Sequence, residues 1–127
     1  MDNKQLLEIV PILKGEDEIS IRLVDWFVTN YSKHNNIIIN KISVYESYKL
    51  QLRELSKRNF DPFCRGYRIQ QKVGDNIITT TNAQISFFKW AIHNKIIDYI
   101  RKNHQQITFS MNSLHNKFKK KTLPYNK

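Results

Sequence analysis

Glycine and proline are scarce, at three residues each in a chain of 127. Gly15, Gly66 and Gly74 stand too far apart to build a P-loop or a G-x-G-x-x-G turn, both of which need clustered glycines so that backbone amides can approach phosphate. Pro11, Pro62 and Pro124 are equally dispersed, so no Pro- or Gly-rich linker divides the chain, and no internal repeat is visible. Cysteine occurs once, at Cys64, which excludes an internal disulfide and agrees with a reducing compartment. Long apolar runs are missing as well. Stretches such as Ile37–Ile39 fall far short of the about 20 residues that a membrane-spanning helix needs. The N-terminal residues carry Asp2 and Glu8 and are interrupted by Pro11, unlike the basic-then-apolar order of a secretory signal, so a soluble protein with no membrane partner is expected. Alanine is confined to Ala83 and Ala91 while isoleucine and asparagine abound, a bias that AT-rich coding produces.

Catalytic constellations are missing too. His34, His93, His104 and His115 are scattered and lack the H-E-x-x-H or C-x-x-C spacings of metal sites. Cys64 neighbours Arg65, which would favour a thiolate, but no motif links it to a histidine and an asparagine. The expectation is a protein that is not an enzyme and takes no metal or cofactor.

What the chain has in abundance is positive charge. Twenty-one Lys and Arg oppose eleven Asp and Glu, for a net charge of +10. The excess is unevenly placed. Residues 1–25 hold six acids (Asp2, Glu8, Glu16, Asp17, Glu18, Asp25) against Lys4, Lys14 and Arg22, a net of −3, so the remainder carries +13. Such asymmetry suits a molecule with one anion-facing side. Two basic clusters stand out: Lys49, Arg53, Lys57, Arg58, Arg65, Arg68 and Lys72, and then Lys117, Lys119, Lys120 and Lys121 within a C-terminal stretch that has no acid after Asp98. Aromatics are interleaved with the first cluster, in Arg58-Asn59-Phe60 and in Phe63-Cys64-Arg65-Gly66-Tyr67-Arg68. That mixture suits phosphate neutralisation beside stacking on bases. Phe60 and Trp90 read as core, and Tyr67, between Gly66 and Arg68 at a hairpin entry, as the aromatic to be exposed.

The periodicity predicts an α+β domain that is mostly helical, with three or four helices around one core, a small β-hairpin and a third short strand as an option. A first helix is expected over residues 4–13, and a second from Ile19 to Ser32, where Ile19, Leu23, Trp26, Phe27 and Tyr31 recur at helical spacing. Ile37–Ile39 reads as a short buried strand. Ser43 with Glu46 forms a capping-box pattern that opens a third helix, with Tyr45, Tyr48, Leu52 and Leu55 on its core stripe and Lys49, Arg53 and Lys57 along another face as candidates to track phosphates. Asp61-Pro62 ends that helix. Tyr67–Val73 and Ile77–Thr80 pair as a hairpin across Gly74-Asp75-Asn76. Thr81 with Gln84 then opens the longest helix, from Asn82 to about His104, whose seam of Ile85, Phe88, Ile92, Ile96, Tyr99 and Ile100 is widened by Phe87, Trp90, Ala91 and Ile97. So wide a seam marks Phe87, Trp90 and Ile97 as candidates for contact with another protein. The domain is expected to span residues 1–115, with residues 116–127 as a flexible basic tail.

Three stretches resemble a short family of uncharacterised proteins from nucleocytoplasmic large DNA viruses, mimivirus-like giant viruses among them. They are Leu23-Val24-Asp25-Trp26-Phe27-Val28-Thr29-Asn30-Tyr31-Ser32-Lys33, Tyr48-Lys49-Leu50-Gln51-Leu52 leading to Phe60-Asp61-Pro62-Phe63-Cys64-Arg65, and Ile78-Thr79-Thr80-Thr81 leading to Gln84-Ile85-Ser86-Phe87-Phe88-Lys89-Trp90-Ala91. The resemblance implies a viral protein made in an infected cell, in the host cytoplasm or a viral factory, with packaging into the virion as an option. It brings no activity with it. Joined to the charge pattern, it leads to the expectation of a non-catalytic nucleic-acid-binding protein, DNA favoured over RNA, that contacts mainly phosphates with little sequence specificity. The alternative is a structural or adaptor protein of the virion, contacting other viral proteins or its own copies. Deleting residues 116–127 is expected to leave the melting temperature nearly unchanged and to weaken nucleic-acid binding at low salt; a large fall in melting temperature would show that the segment belongs to the domain.

Overall fold

The structure, a computed structural model, describes the backbone of residues 3–122 and the side chains of residues 4–114. Helix α1 covers Asn3–Leu13, and the chain turns out of it at Gly15, whose φ of +76° is open to glycine without a Cβ clash. The Asp17 carboxylate then accepts the Ile19 amide at 2.8 Å, and Ser20 caps helix α2, Ile21–Trp26, by accepting the Leu23 amide at 3.0 Å. From α2 the chain passes into a π-helical segment, Phe27–Tyr31, and then α3, Ser32–His34. The second helix expected from sequence therefore holds its course, with a wider turn in its middle. Side-chain hydroxyls bond to carbonyls along it, Thr29 Oγ1 to Asp25 O at 2.8 Å and Ser32 Oγ to Val28 O at 2.7 Å. Phe27, Val28 and Tyr31 reach the core from the widened turn.

Strands β1, Ile38–Ile39, and β2, Ile42–Ser43, form a minimal antiparallel hairpin with Ile39 opposite Ile42. Asn40 and Lys41 at its tip both have positive φ, 51° and 66°, as a tight two-residue hairpin turn requires. The expectation of a buried strand over Ile37–Ile39 is corrected here: Ile38 is 64% exposed, because a two-residue surface hairpin covers only one of its faces. Ser43 caps α4, Val44–Leu55, by accepting the Glu46 amide at 3.3 Å. The helix stops at Ser56, which takes a φ of 69° while its amide still bonds to the Leu52 carbonyl.

After an irregular segment come β3, Ile69–Val73, and β4, Asn76–Thr80, antiparallel with Val73 opposite Asn76. Their turn is thus Gly74-Asp75 alone, with Gly74 at a φ of +61° where any other residue would be strained. Val73 and Ile78 are the buried side of this hairpin, which lies against α1. Thr81 opens α5, Asn82–His93, accepting the Gln84 amide at 3.0 Å. The expected single helix to His104 is divided. Asn94 bonds to the Trp90 carbonyl through both its backbone and its side chain, and Lys95 turns left-handed with a φ of 61°. Helices α6, Ile96–Lys102, and α7, His104–Thr122, follow. The apolar spacing runs on across the break because α6 returns its Ile96, Ile97 and Ile100 to the same core that α5 fills. The fold is α+β and mostly helical, with two separate two-stranded sheets.

One core joins these elements. Its centre is an aromatic box in which Phe60 meets Phe87 at 5.1 Å, Trp90 at 5.5 Å and Tyr48 at 6.2 Å between ring centroids, all tilted or edge-on as aromatic quadrupoles prefer. Trp90 satisfies its indole N–H on Ser47 Oγ at 2.9 Å. A second group, Phe27 with Tyr31 and Tyr99, sits where the π-helical segment meets α6. Phe60 is the one box member that lies outside any helix. Changing Phe60→Ala is expected to cost about 3–5 kcal/mol of stability by opening a cavity among three rings, measured as a lower urea midpoint with an unchanged slope; a loss under about 1 kcal/mol would mean that the box closes without it.

Candidate nucleic-acid interface

The segment between α4 and β3 is held down at successive residues. Phe60 enters the aromatic box, the Asp61 amide bonds to the Ala83 carbonyl at 3.3 Å, and the Pro62 carbonyl accepts Gln84 Nε2 at 2.8 Å. Gln84 is itself buried and takes the Thr80 hydroxyl on its Oε1 at 2.6 Å, so β4, α5 and the strap are locked by one side chain. With the strap fixed, its charged residues are fixed too. Asp61 is buried, accepts the Phe63 amide at 3.1 Å and receives Arg65 in a two-pronged contact, Nε at 2.7 Å and an Nη at 2.9 Å. The Arg65 guanidinium also lies 5.2 Å from the centre of the Phe63 ring.

Between the end of α4, this strap and the start of α5 lies a cleft of about 530 Å³. Lys57, Arg58 and Asn59 form one wall, Arg65, Gly66 and Tyr67 another, and Thr81, Asn82 and Ala83 from the first turn of α5 a third, with Asp61 at the base. Lys57 and Arg58 make no salt bridge among the described residues. Tyr67 is 86% exposed, the most accessible large hydrophobic side chain described. Gly66 beside it has a φ of +88°, which turns the chain outward there.

The charges around the cleft are coupled. Burial works to raise the Asp61 pKa, but hydrogen bonds from Arg65 and the Phe63 amide, helped by the charges of Arg65 and Lys57, outweigh it and hold the carboxyl below its ordinary value. Asp25 on α2 goes the other way. Burial and the nearby Asp61 carboxylate disfavour its charge, Lys57 and Arg65 offset this only in part, and its pKa is raised. The Tyr48 phenol is pushed up by burial and then by Asp25, Tyr45 and Asp61.

A protein family of unknown function, DUF7197, matches residues 1–126. The chain belongs to this family. An uncharacterised protein of Acanthamoeba polyphaga mimivirus is 43% identical to it over 113 residues, covering 78% of this chain and 44% of that protein, so the chain spans less than half of the viral relative's length. No solved structure matches. The resemblance to giant-virus proteins read from the sequence is therefore correct.

Within this DUF7197 fold the sequence-nominated residues separate into groups. Lys57, Arg58, Arg65 and Tyr67 meet in the cleft. Lys49 and Arg53 are exposed on α4, and Arg68 and Lys72 are exposed beside and on β3, but none of the four lines it. The continuous Lys49-Arg53-Lys57 stripe is corrected, since Ser56 ends the helix and Lys57 leaves its face. Phe87, Trp90 and Ile97 do not form an outward contact patch: they are 0%, 7% and 1% exposed, because α5, which carries the first two, and α6, which carries Ile97, both pack into the core of their own domain. Lys117, Lys119, Lys120 and Lys121 fall in the backbone run of α7, and their side chains lie outside the described residues, as do residues 123–127. No helix among the described residues is long and apolar enough to cross a membrane. Asn82 and Asp25 were not singled out by sequence. Asn82 could have been found from its place after the Thr81 cap, whereas nothing local to Asp25 signals that folding brings it near Asp61.

A pH test follows from Asp25. Its folded-state pKa is raised, so the folded state is the better proton binder, and the charged carboxylate costs stability above the raised pKa. Asp25→Asn is expected to raise the melting temperature at pH 7, with the gain shrinking as pH falls through the raised pKa toward the ordinary carboxylate range. A gain that persisted unchanged below pH 3 would show that the amide acts by packing and not by charge.

Proposed function

We propose that this protein is a non-catalytic nucleic-acid-binding protein of a large DNA virus, acting in the infected host's cytoplasm or viral factory, with DNA favoured over RNA. The observation that carries the reading is the cleft at the end of α4, where Lys57 and Arg58 make no salt bridge among the described residues and share the lining with a Tyr67 ring that is 86% exposed. Cations supply phosphate contact and the release of condensed counterions, and an exposed ring supplies a sequence-tolerant stacking surface. Arg65 contributes less charge, because Asp61 takes its guanidinium. Lys49, Arg53, Arg68 and Lys72 add attraction around the cleft without building it, which fits affinity dominated by phosphates and little reading of sequence.

The adaptor reading keeps one support of its own. Phe109 on α7 is 73% exposed, an apolar residue that no described element covers.

Salt-titrated gel shifts test the nucleic-acid reading. Replacing Lys57 and Arg58 with Gln is expected to flatten the log-log salt slope by about 1.4 on single strands and 1.8 on duplex DNA, from roughly 0.7 and 0.9 per lost contact. Replacing Lys4 and Arg22 with Gln should leave the slope within about 0.5 of the original. Equal losses in both pairs would reduce the cleft to diffuse charge, and a wild-type protein that binds no probe at low salt would overturn the proposal.

A further inference from the structure

The cleft is built for one unit of a strand more than for a long run of backbone. Its cations do not continue along α4: Lys49 and Arg53 lie outside it, and beyond Ser56 the chain changes direction. What converges is local, namely Lys57 and Arg58 on one side and, on the other, the first turn of α5 through Thr81, Asn82 and Ala83. The first amides of a helix have no acceptor within it; the Thr81 hydroxyl takes that of Gln84, and α5 carries no acidic residue in its first turn to oppose an anion at that end. With Arg65 offset by Asp61, Lys57 and Arg58 leave this concavity net positive beside the helix start, which suits a phosphate. The Tyr67 ring, held at the rim by the left-handed Gly66, offers the one flat apolar surface next to it. A volume of about 530 Å³ leaves room for a nucleoside beside that phosphate.

Resting on the nucleic-acid reading above, we infer that the cleft holds one unpaired nucleotide of a single-stranded segment, the phosphates on either side of it held by Lys57 and Arg58 next to the start of α5 and its base stacked on Tyr67. The base must leave a duplex to reach the ring, because a paired base is covered on both faces by its neighbours. Single-stranded nucleic acid is thus the preferred ligand, and Tyr67 is the residue that makes the preference. The Asp61–Arg65 pair positions Tyr67 by fixing the strap from which the loop leaves.

The test compares a fluorescein-labelled dT oligonucleotide with a duplex of equal length by anisotropy at fixed low salt, for wild type, Tyr67→Ala and Tyr67→Phe, with circular dichroism to verify the fold of each. Tyr67 is a surface residue, so its replacement leaves the core intact. The wild type is expected to prefer the single strand. Tyr67→Ala should weaken single-strand binding about tenfold and duplex binding less than about twofold, and Tyr67→Phe should restore the single-strand affinity. If Tyr67→Ala weakens both probes alike, or neither, while the wild type binds both, the stacking assignment is overturned and the broader nucleic-acid reading stands. If the wild type binds neither probe, both fall together.

Discussion

The grip of α5 on the strap between α4 and β3 is the constraint from which the rest of the molecule follows. Gln84 accepts the Thr80 hydroxyl and donates to the Pro62 carbonyl, while Phe60 fills the box of Tyr48, Phe87 and Trp90. A buried amide side chain is costly unless both its donor and its acceptor find partners, and here both do. The arrangement therefore tolerates little displacement: moving the strap would leave Gln84 and the Pro62 carbonyl unpaired at once. Because the strap is irregular backbone, it has no ladder of its own to hold it. Its shape comes from side chains that belong to other elements.

That rigidity explains how a surface so rich in positive charge can also be specific in shape. Lys57 and Arg58 lead into the strap, Arg65 and Tyr67 lead out of it, and the α5 start is what it is bonded to. Charges on long side chains are ordinarily diffuse, since each carries much rotamer freedom. Anchoring the strap at Phe60, Asp61 and Pro62 fixes the points from which the flanking cations extend. Asp61 adds a second restraint by fixing Arg65, and in doing so it gives up part of the site's positive field. Asp17 does similar work elsewhere: Arg101 reaches its carboxylate at 3.0 Å, and this contact leads the causes that hold the Asp17 pKa low, tying the turn before α2 to α6. The same chemistry thus fixes a turn through Asp17 and a surface strap through Asp61.

Much of this architecture was legible in local sequence, and the failures have a common cause. The caps at Ser43 and Thr81, the hairpin at Gly74, the core roles of Phe60 and Trp90 and the exposure of Tyr67 all depend on residues close in the chain or on simple burial, and each is where the sequence indicated. The break between α5 and α6 was hidden because a helix that bends back onto the same core preserves its apolar rhythm across the bend; only the Asn94 cap marks it. The wide seam of α5 looked like surface for a partner because sequence cannot tell which of two apolar sides the domain covers itself. The second strand of the first hairpin, Ile42–Ser43, is too short to show alternation at all. The cleft was half legible. Its cations and its ring were named, but a spacing of four residues joined Lys57 to Lys49 and Arg53, and a single left-handed residue at Ser56 separates them.

Aromatic residues in this chain divide by what holds them in place, and the division bears on function. Phe60, Phe87, Phe88 and Trp90 are inside because their burial supplies part of the free energy that offsets chain ordering. Tyr67 contributes almost nothing of that kind, since leaving a ring 86% exposed gives up nearly all the area it could remove from water. Stability therefore does not explain its identity, and a polar residue would serve the fold as well at the tip of this loop. What an exposed ring beside Lys57 and Arg58 does supply is a surface on which another flat apolar group can be desolvated next to an anion. A nucleotide carries both kinds of group, an aromatic base and a phosphate, which is why the proposed reading rests on Tyr67 as much as on the charge.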